Sequence, residues 1–380
     1  MNSVSFKYFF SYLFILILAI VLSSQAYSQK EYCWNMFRGD QALTGMTVFE
    51  LPAKPEILWT YKTDDQIKSS PVSCDNKIIA GSGDGYVYCL DINGKLIWKF
   101  NSGNGIEAPA LILEGNVYVG NLDGSLYSLN LNTGRQNWVY KTDNQISGSP
   151  NYWKINEKLY ILVGSYDYNL HCVDAKTGNV KWKYESDNFI NGAAACQNGI
   201  AAFGGCDGYL HMVDIKTGTI KEKIEVASYV AASAGLSGSY AYIGDYDGIL
   251  TCVNLKDKKI SWQWKDETTN LPFLASPSVL KDRIIIGNDN KYLYCIDKMS
   301  GKLLWKFNTG SRVESSTVAS ANKVLTANMR GDLFILDVNS GKKLWSYEIG
   351  TPISGTPAVL KDKFIIATTD GYIYCFGQKK

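Results

Sequence analysis

One phrase recurs eight times along this chain. Its first copy reads Asp84-Gly85-Tyr86-Val87-Tyr88-Cys89-Leu90-Asp91, followed by Asn93-Gly94-Lys95 and then Trp98. Further copies begin at Asp123 (with Trp138), Asp167 (Trp182), Asp207, Asp247 (Trp262), Asn290 (Trp305), Arg330 (Trp345) and Asp370. Successive starts lie 39, 44, 40, 40, 43, 40 and 40 residues apart. A period of about forty residues is the length of a four-stranded propeller blade, a unit that buries its apolar faces only by stacking on its neighbours.

Turn signals divide each unit into four short strands. In the first unit these are Ser69 to Val72, Lys77 to Gly81, Gly85 to Asp91, and Lys95 to Phe100 with its Trp. Asp-Gly and Asn-Gly between them supply turn chemistry, because glycine accepts positive φ. The chain ends fix the blade count. The eighth unit stops at Gly377 without a Trp strand, and an orphan Trp strand, Ile57 to Tyr61 around Trp59, precedes the first unit. The expected fold is therefore all-β: an eight-bladed β-propeller of four-stranded blades, the last closed by the N-terminal strand. The expected division is 1–28 as a signal peptide, 29–56 as a lead-in segment and 57–377 as the propeller.

The export reading rests on Lys7, an apolar run from Phe9 to Leu22, and small residues placed for a cut after Ser28. The run is short for a spanning helix, so no membrane span is expected once it is removed. Lys30-Glu31-Tyr32 before Cys33 is not a lipoprotein cleavage box. The destination is periplasmic or secreted, and the protein is expected to be a monomer. Net charge is +2, from 38 basic and 36 acidic residues with no basic stripe, which leaves no electrostatic footprint for nucleic acid.

A small residue, a glycine and a Trp recur at fixed spacing, as in Cys172, Gly178 and Trp182, or Ser128, Gly134 and Trp138. Seven indoles, Trp59, Trp98, Trp138, Trp182, Trp262, Trp305 and Trp345, are expected to lock blade to blade by lying flat on glycine. These phrases resemble the tryptophan-docking motif of the pyrroloquinoline-quinone-like propellers, which include quinone-dependent dehydrogenases and the propeller component of the outer-membrane β-barrel assembly machinery. The opening Trp34 to Asp40, with Thr44-Gly45, resembles the lead-in of such repeat proteins. The resemblance covers roughly residues 34 to 377 and specifies fold far better than function. Two departures stand out: the small residue is often Cys, and Glu222 replaces Trp in the fourth unit.

Candidate chemistry is sparse. Nine cysteines are present. Cys89, Cys172, Cys252, Cys295 and Cys375 share one strand position and read as small packing residues. Cys33 and Cys206 lie elsewhere, and a bridge between them is left open. His171 and His211 replace a recurrent Tyr and read as ring-sized core residues. The solitary turn aspartates read as turn caps, since calcium needs six to eight gathered oxygens. No metal site is expected. The resemblance implies pyrroloquinoline quinone for the enzymes of the group, but the adjacent cysteine pair and long insertions of those enzymes are missing, so no cofactor is expected.

Aligning the units places Lys68, Glu107, Ser147, Asn191, Ala231, Leu274, Glu314 and Ser354 at one equivalent site before each inner strand. If those strands line the axis, the eight surround one mouth of the channel, and nearby loops add Tyr229, Phe273 and Arg312. Lys68, Glu107, Asn191, Tyr229, Phe273, Arg312 and Glu314 are the candidate binding residues. The leading functional expectation is a non-catalytic scaffold binding protein or peptide partners in the cell envelope, as the resemblance implies, with blade edges open to strand addition. A small-molecule or glycan binder and a quinoprotein-like enzyme are the alternatives.

Overall fold

The computed structural model describes residues 33–226 and 228–379. The proposed signal segment, 1–28, lies outside the described residues. Within Trp34–Lys380, which forms one compact unit, eight four-stranded antiparallel sheets follow one another. Among the described residues there is no helix, and therefore none long and apolar enough to cross a membrane.

The first blade runs Val72–Cys74, Lys77–Gly81, Tyr86–Asp91 and Leu96–Asn101 from inside to outside. Its inner strand begins later than the sequence suggests, because Pro71 has no amide to give a ladder and Ser69 turns its hydroxyl onto the Gly81 carbonyl at 2.8 Å. The last blade takes Ala358–Leu360, Lys363–Ala367 and Tyr372–Gly377 from the C-terminus and Glu56–Lys62 from the N-terminus. Trp59 sits opposite Cys375 and Tyr61 opposite Ile373, so the ring closes through the N-terminal strand.

In every blade the outer pair of strands shifts register beside the docking station, as between Cys172 and Val173 or Cys295 and Ile296. Such a bulge re-aims the side chain next to it. The small residue and the Trp nine or ten positions on are direct cross-strand partners: Cys89 with Trp98, Cys172 with Trp182, Cys252 with Trp262. Six of the seven indoles rest on a glycine of the following blade, whereas Trp345, expected to lie on glycine too, packs edge-on to Phe364 and Phe376 of the last blade instead. Trp98 lies on Gly134 and donates its ring N–H to the Leu131 carbonyl at 2.9 Å. Trp182 lies on Gly218 and donates to Ile215 at 2.9 Å. A Cβ on either glycine would come within 2.7 Å of the ring, and both have positive φ.

The fourth junction is built differently. Glu222 replaces the indole, and Lys258 stands in the next turn at the position glycine holds elsewhere, with φ 56°. The two form an ion pair at 3.0 Å. Where no ring must lie flat, the receiving glycine is not needed.

Candidate functional site

The first strands of the blades surround a cavity of about 330 Å³ on the axis. All eight aligned positions, Lys68, Glu107, Ser147, Asn191, Ala231, Leu274, Glu314 and Ser354, contribute to its lining. One layer deeper, hydroxyls stitch neighbouring blades together. Ser233, Ser276 and Ser316 accept the amides of Ala193, Ser233 and Ser276 at 2.8, 3.0 and 2.9 Å. Ser70 accepts the amide of Thr356 across the closure at 2.8 Å.

The lead-in supplies the floor. From Trp34 to Thr47 it runs round the free inner edges of the blades. Ser73, Ile112, Cys196, Leu236, Val279 and Ala319 donate their amides to the carbonyls of Trp34, Asn35, Gln41, Ala42, Thr44 and Gly45, at 2.7 to 2.9 Å. The third blade joins through side chains: Gln41 donates to the Tyr152 carbonyl at 2.7 Å, and Asn151 donates to the Gln41 carbonyl at 2.8 Å. Seven blades are thereby tied to one strap, and Phe37 faces the cavity.

Arg38 anchors the strap. It is fully buried and donates to the carbonyls of Thr317 and Pro277 and to Ser278 Oγ. Burial pushes its guanidinium down to about 9, against the attraction of Asp40. Gly45 has no side chain where one would strike that guanidinium. The sequence carries this signal in its clustered Arg38-Gly39-Asp40 and Thr44-Gly45, but a resemblance alone assigned the segment no role.

At the rim, charge is compensated locally. Lys68 Nζ lies 2.7 Å from Glu107 Oε1, and Arg312 lies 3.4 Å from Glu314. Burial pushes the Glu314 carboxyl up, with Arg312 opposing and Asp289 adding to the shift. Asn191 donates to Cys206 Sγ at 3.0 Å. Its amide oxygen and the Ser354 hydroxyl are shielded from solvent and have no hydrogen-bond partner in the protein.

The three loop residues fare differently. Arg312 reaches the cavity only through Glu314. Tyr229 is 58% exposed but stands outside the lining, edge-on to Tyr246 at 6.5 Å. Phe273 is a correction: it is 1% exposed, edge-on to Tyr294 and packed against Gly244, where a Cβ would meet it at 2.4 Å. It occupies the apolar station just before the rim residue, held elsewhere by Ile67, Ile106, Ile146, Ile190, Val230, Val313 and Ile353, all buried. That alternation was visible in the sequence and places the ring inward.

Sequence reasoning also missed the aromatic rings on this face. Turns between second and third strands, and loops leading into each blade, open on the rim side. There Tyr166 stacks on Phe189 at 4.8 Å, Tyr168 packs on the same Phe189 at 5.3 Å, and Tyr229 pairs with Tyr246. Tyr168 and Tyr246 are 41% and 46% exposed, and Leu271 is also exposed. The outer perimeter is unlike this: all eight outermost strands carry an exposed lysine, among them Lys62, Lys99, Lys181 and Lys343. Lysine on an edge strand opposes strand addition.

The histidines are buried connectors. His171 joins Asp167, at 3.1 Å, to the Tyr140 hydroxyl of the preceding blade at 3.0 Å. His211 joins Asp207 and Tyr184 in the same way, at 2.8 and 2.9 Å. Burial raises the Asp167 pKa, but the hydrogen bond and charge of His171 outweigh it and hold the carboxyl below the usual range. Asp84, Asp123, Asp167, Asp207, Asp247 and Asp370, the aspartates of the repeated turns, belong to no group of three ligating side chains among the described residues. Cys33 and Cys74 are each disulfide-bonded, whereas Cys206 is a free thiol, so the Cys33–Cys206 bridge is not formed. Burial pushes Cys89, Cys172 and Cys295 up to about 12, which makes them poor nucleophiles.

Comparisons agree with this architecture. BamB from Moraxella catarrhalis superposes with a TM-score of 0.70 at 15% identity, over 85% of this chain and 100% of that one. The quinohemoprotein alcohol dehydrogenase of Comamonas testosteroni gives 0.76 at 14% identity, over 94% and 82%. The computationally designed Ika8 protein gives 0.74 at 15%, over 86% and 99%. At such identities these likenesses establish the fold alone. No curated protein sequence matches significantly. The family model described as outer membrane protein assembly factor BamB matches residues 51–264 and 289–380, and the chain therefore belongs to this family of PQQ-like β-propellers.

Proposed function

We propose that this protein is an exported, non-catalytic propeller that docks a protein partner of the cell envelope on its rim face, in outer-membrane protein assembly. The observation that carries the reading is the set of exposed apolar groups on the rim side, Tyr168 on the third blade and Tyr229, Tyr246 and Leu271 around the fifth. Exposed aromatic clusters on a rigid surface are typical anchors of protein interfaces. The lysine-guarded perimeter turns partners away from the blade edges and toward this face. The family description supports the assembly role. The apolar N-terminal run and the disulfide-bonded Cys33 and Cys74 support an oxidising, exported setting.

Pyrroloquinoline quinone does not fit the lining. It is a tricarboxylate, and the cavity offers Lys68 already paired with Glu107, and Glu314 already paired with Arg312. An anion there meets no uncompensated positive charge and a carboxyl that burial already disfavours ionising.

Affinity capture from native envelope extracts tests the docking reading. Barrel-assembly proteins should copurify with the wild type and be lost with a Tyr229→Ser/Tyr246→Ser variant of unchanged melting temperature. Equal recovery with both proteins, or none with either, overturns it. Pyrroloquinoline quinone with calcium should leave melting and dye reduction unchanged. Clear dye reduction with an alcohol or aldose would overturn the non-catalytic reading.

A further inference from the structure

We propose that the side of the ring opposite the rim docks on an anionic phospholipid surface, through the sixth and seventh blades. This goes beyond the docking of a protein on the rim face and does not rest on it.

Successive strands of a blade run antiparallel, so the turns between third and fourth strands open on the side away from the rim. The carbonyl that accepts each docked indole marks one station of this turn, and the station is apolar and buried at Leu131, Ala175, Ile215 and Val338. In the sixth blade it is Lys298, which is buried too and turns its ammonium inward to Ser237 Oγ and the Leu280 carbonyl, at 2.7 and 2.9 Å. The next station is Asn93, Asn132, Lys176, Lys216, Lys256 and Asn339 in the other blades, but here it is Met299, which is 64% exposed. Polarity is inverted at this turn, with lysine inside and methionine outside. Burying the ammonium and exposing the thioether both work against folding, so Met299 answers to something outside the fold.

Its surroundings extend the pattern. Leu303 and Leu304 in the same blade and Leu344 in the next are exposed near the start of the outermost strands. Val48 is exposed where the strap leaves the seventh blade, one residue after the Thr47 amide bonds the Ala319 carbonyl at 2.8 Å. The same turns and strand starts carry Lys281, Lys302, Lys342 and Lys343, all exposed and in no ion pair among the described residues. The neighbouring acids are engaged, Asp282 with Arg283, and Asp297 and Asp337 with the amides and hydroxyls of Ser300 and Ser340. Rim-side turns have the reverse charge, with Asp84, Asp123, Asp167, Asp207, Asp247 and Asp370. Protein interfaces disfavour lysine and take their anchors from Trp, Tyr and Arg. Aliphatic groups interleaved with lysines suit a bilayer instead: the apolar tips enter between headgroups while the ammonium groups stay at the phosphates. A ring seated this way turns its rim face to the aqueous side.

Co-sedimentation of the purified protein with vesicles tests this. One vesicle set is phosphatidylcholine alone, the other equal parts phosphatidylcholine and phosphatidylglycerol. The wild type should prefer the anionic set, and the preference should collapse as ionic strength rises. Lys302→Gln/Lys342→Gln should weaken binding to that set by about tenfold or more, at roughly fivefold per lysine. Lys141→Gln/Lys183→Gln removes the same charge at the rim-side ends of outermost strands and should leave binding nearly unchanged. Met299→Ser/Leu304→Ser should weaken it by about tenfold at unchanged melting temperature; if that variant does not fold, the two lysine variants decide. Any hold of the apolar N-terminal run on lipid is common to both vesicle sets and to every variant, so it drops out of the comparison. Equal binding to the two sets, wild-type binding by a folded patch variant, or an equal loss in the Lys141/Lys183 variant overturns the proposal. So does a protein captured from envelope extracts by the wild type and lost with Met299→Ser/Leu304→Ser in the absence of vesicle binding, which would make this side a protein interface. Capture lost only in the Tyr229/Tyr246 variant bears on the rim reading alone.

Discussion

The junction between the fourth and fifth blades offers the sharpest test of what holds the ring together. At six other junctions an indole lies on a positive-φ glycine of the next blade: Trp59 on Gly94, Trp98 on Gly134, Trp138 on Gly178, Trp182 on Gly218, Trp262 on Gly301 and Trp305 on Gly341. Here Glu222 meets Lys258 instead, with side chains 35% and 50% exposed, and a screened pair of that kind contributes little. The double change Glu222→Trp/Lys258→Gly rebuilds the common arrangement. The indole half-buries a large apolar surface and gains an N–H···O bond to the turn, which is Leu255 by analogy with Ile215. Glycine also relieves the left-handed conformation that Lys258 holds at φ 56°, a strain of about 1–2 kcal/mol. Together these should raise stability by about 2–4 kcal/mol, read as a higher guanidinium midpoint at unchanged slope. Glu222→Trp alone should gain little, because the Lys258 side chain stands where the ring must lie. Coupling between the two changes should therefore reach about 1 kcal/mol or more. A double variant no more stable than the wild type, or one whose effects merely add, would refute the reasoning.

Three further outcomes follow from buried groups. Asp245 is buried with one unpartnered carboxylate oxygen, and burial raises its pKa. Asn121, Asn288 and Asn328 hold the same station and donate to the carbonyls of Ser102, Leu271 and Thr309 at 2.8 to 3.0 Å. Asp245→Asn should stabilise by about 1–2 kcal/mol at neutral pH. Because the raised carboxyl is costly only when ionised, thermal melts should show the gain fading as pH falls from the raised pKa toward the usual carboxylate value, and gone below it. Arg38→Met leaves the buried Pro277 carbonyl without its donor and the Thr317 carbonyl with Ser278 Oγ alone, and should cost about 1–3 kcal/mol, with limited proteolysis cutting first between residues 34 and 47. Native alkylation at neutral pH, read by peptide mass spectrometry, should label Cys206 ahead of the buried Cys89, Cys172, Cys252, Cys295 and Cys375.

The ring itself was legible because its physics is periodic. Each Asp-Gly turn, alternating third strand and Trp strand restates the same unit, and the missing eighth Trp strand pointed to Trp59. The rim alignment carried through for the same reason, since eight equivalent positions must share one radius. What was not legible depended on a segment used once. The strap from Trp34 to Thr47 has no periodicity, and its carbonyls find partners only after the inner strands have assembled. Phe273 was misplaced because a Pro-Phe loop suggests exposure, although its station in the repeat is apolar. The aromatic set draws on Tyr166, Tyr168, Phe189, Tyr229 and Tyr246 from separate loops that only closure of the ring brings onto one face.

Site-specific photocrosslinking in the native envelope addresses the working-face claim most directly. A photoreactive side chain in place of Tyr229 or Tyr246 should yield adducts with an envelope assembly partner, and one in place of Lys181 on the guarded perimeter should not. Adducts arising from the perimeter, with none from the two tyrosine positions, would contradict the account.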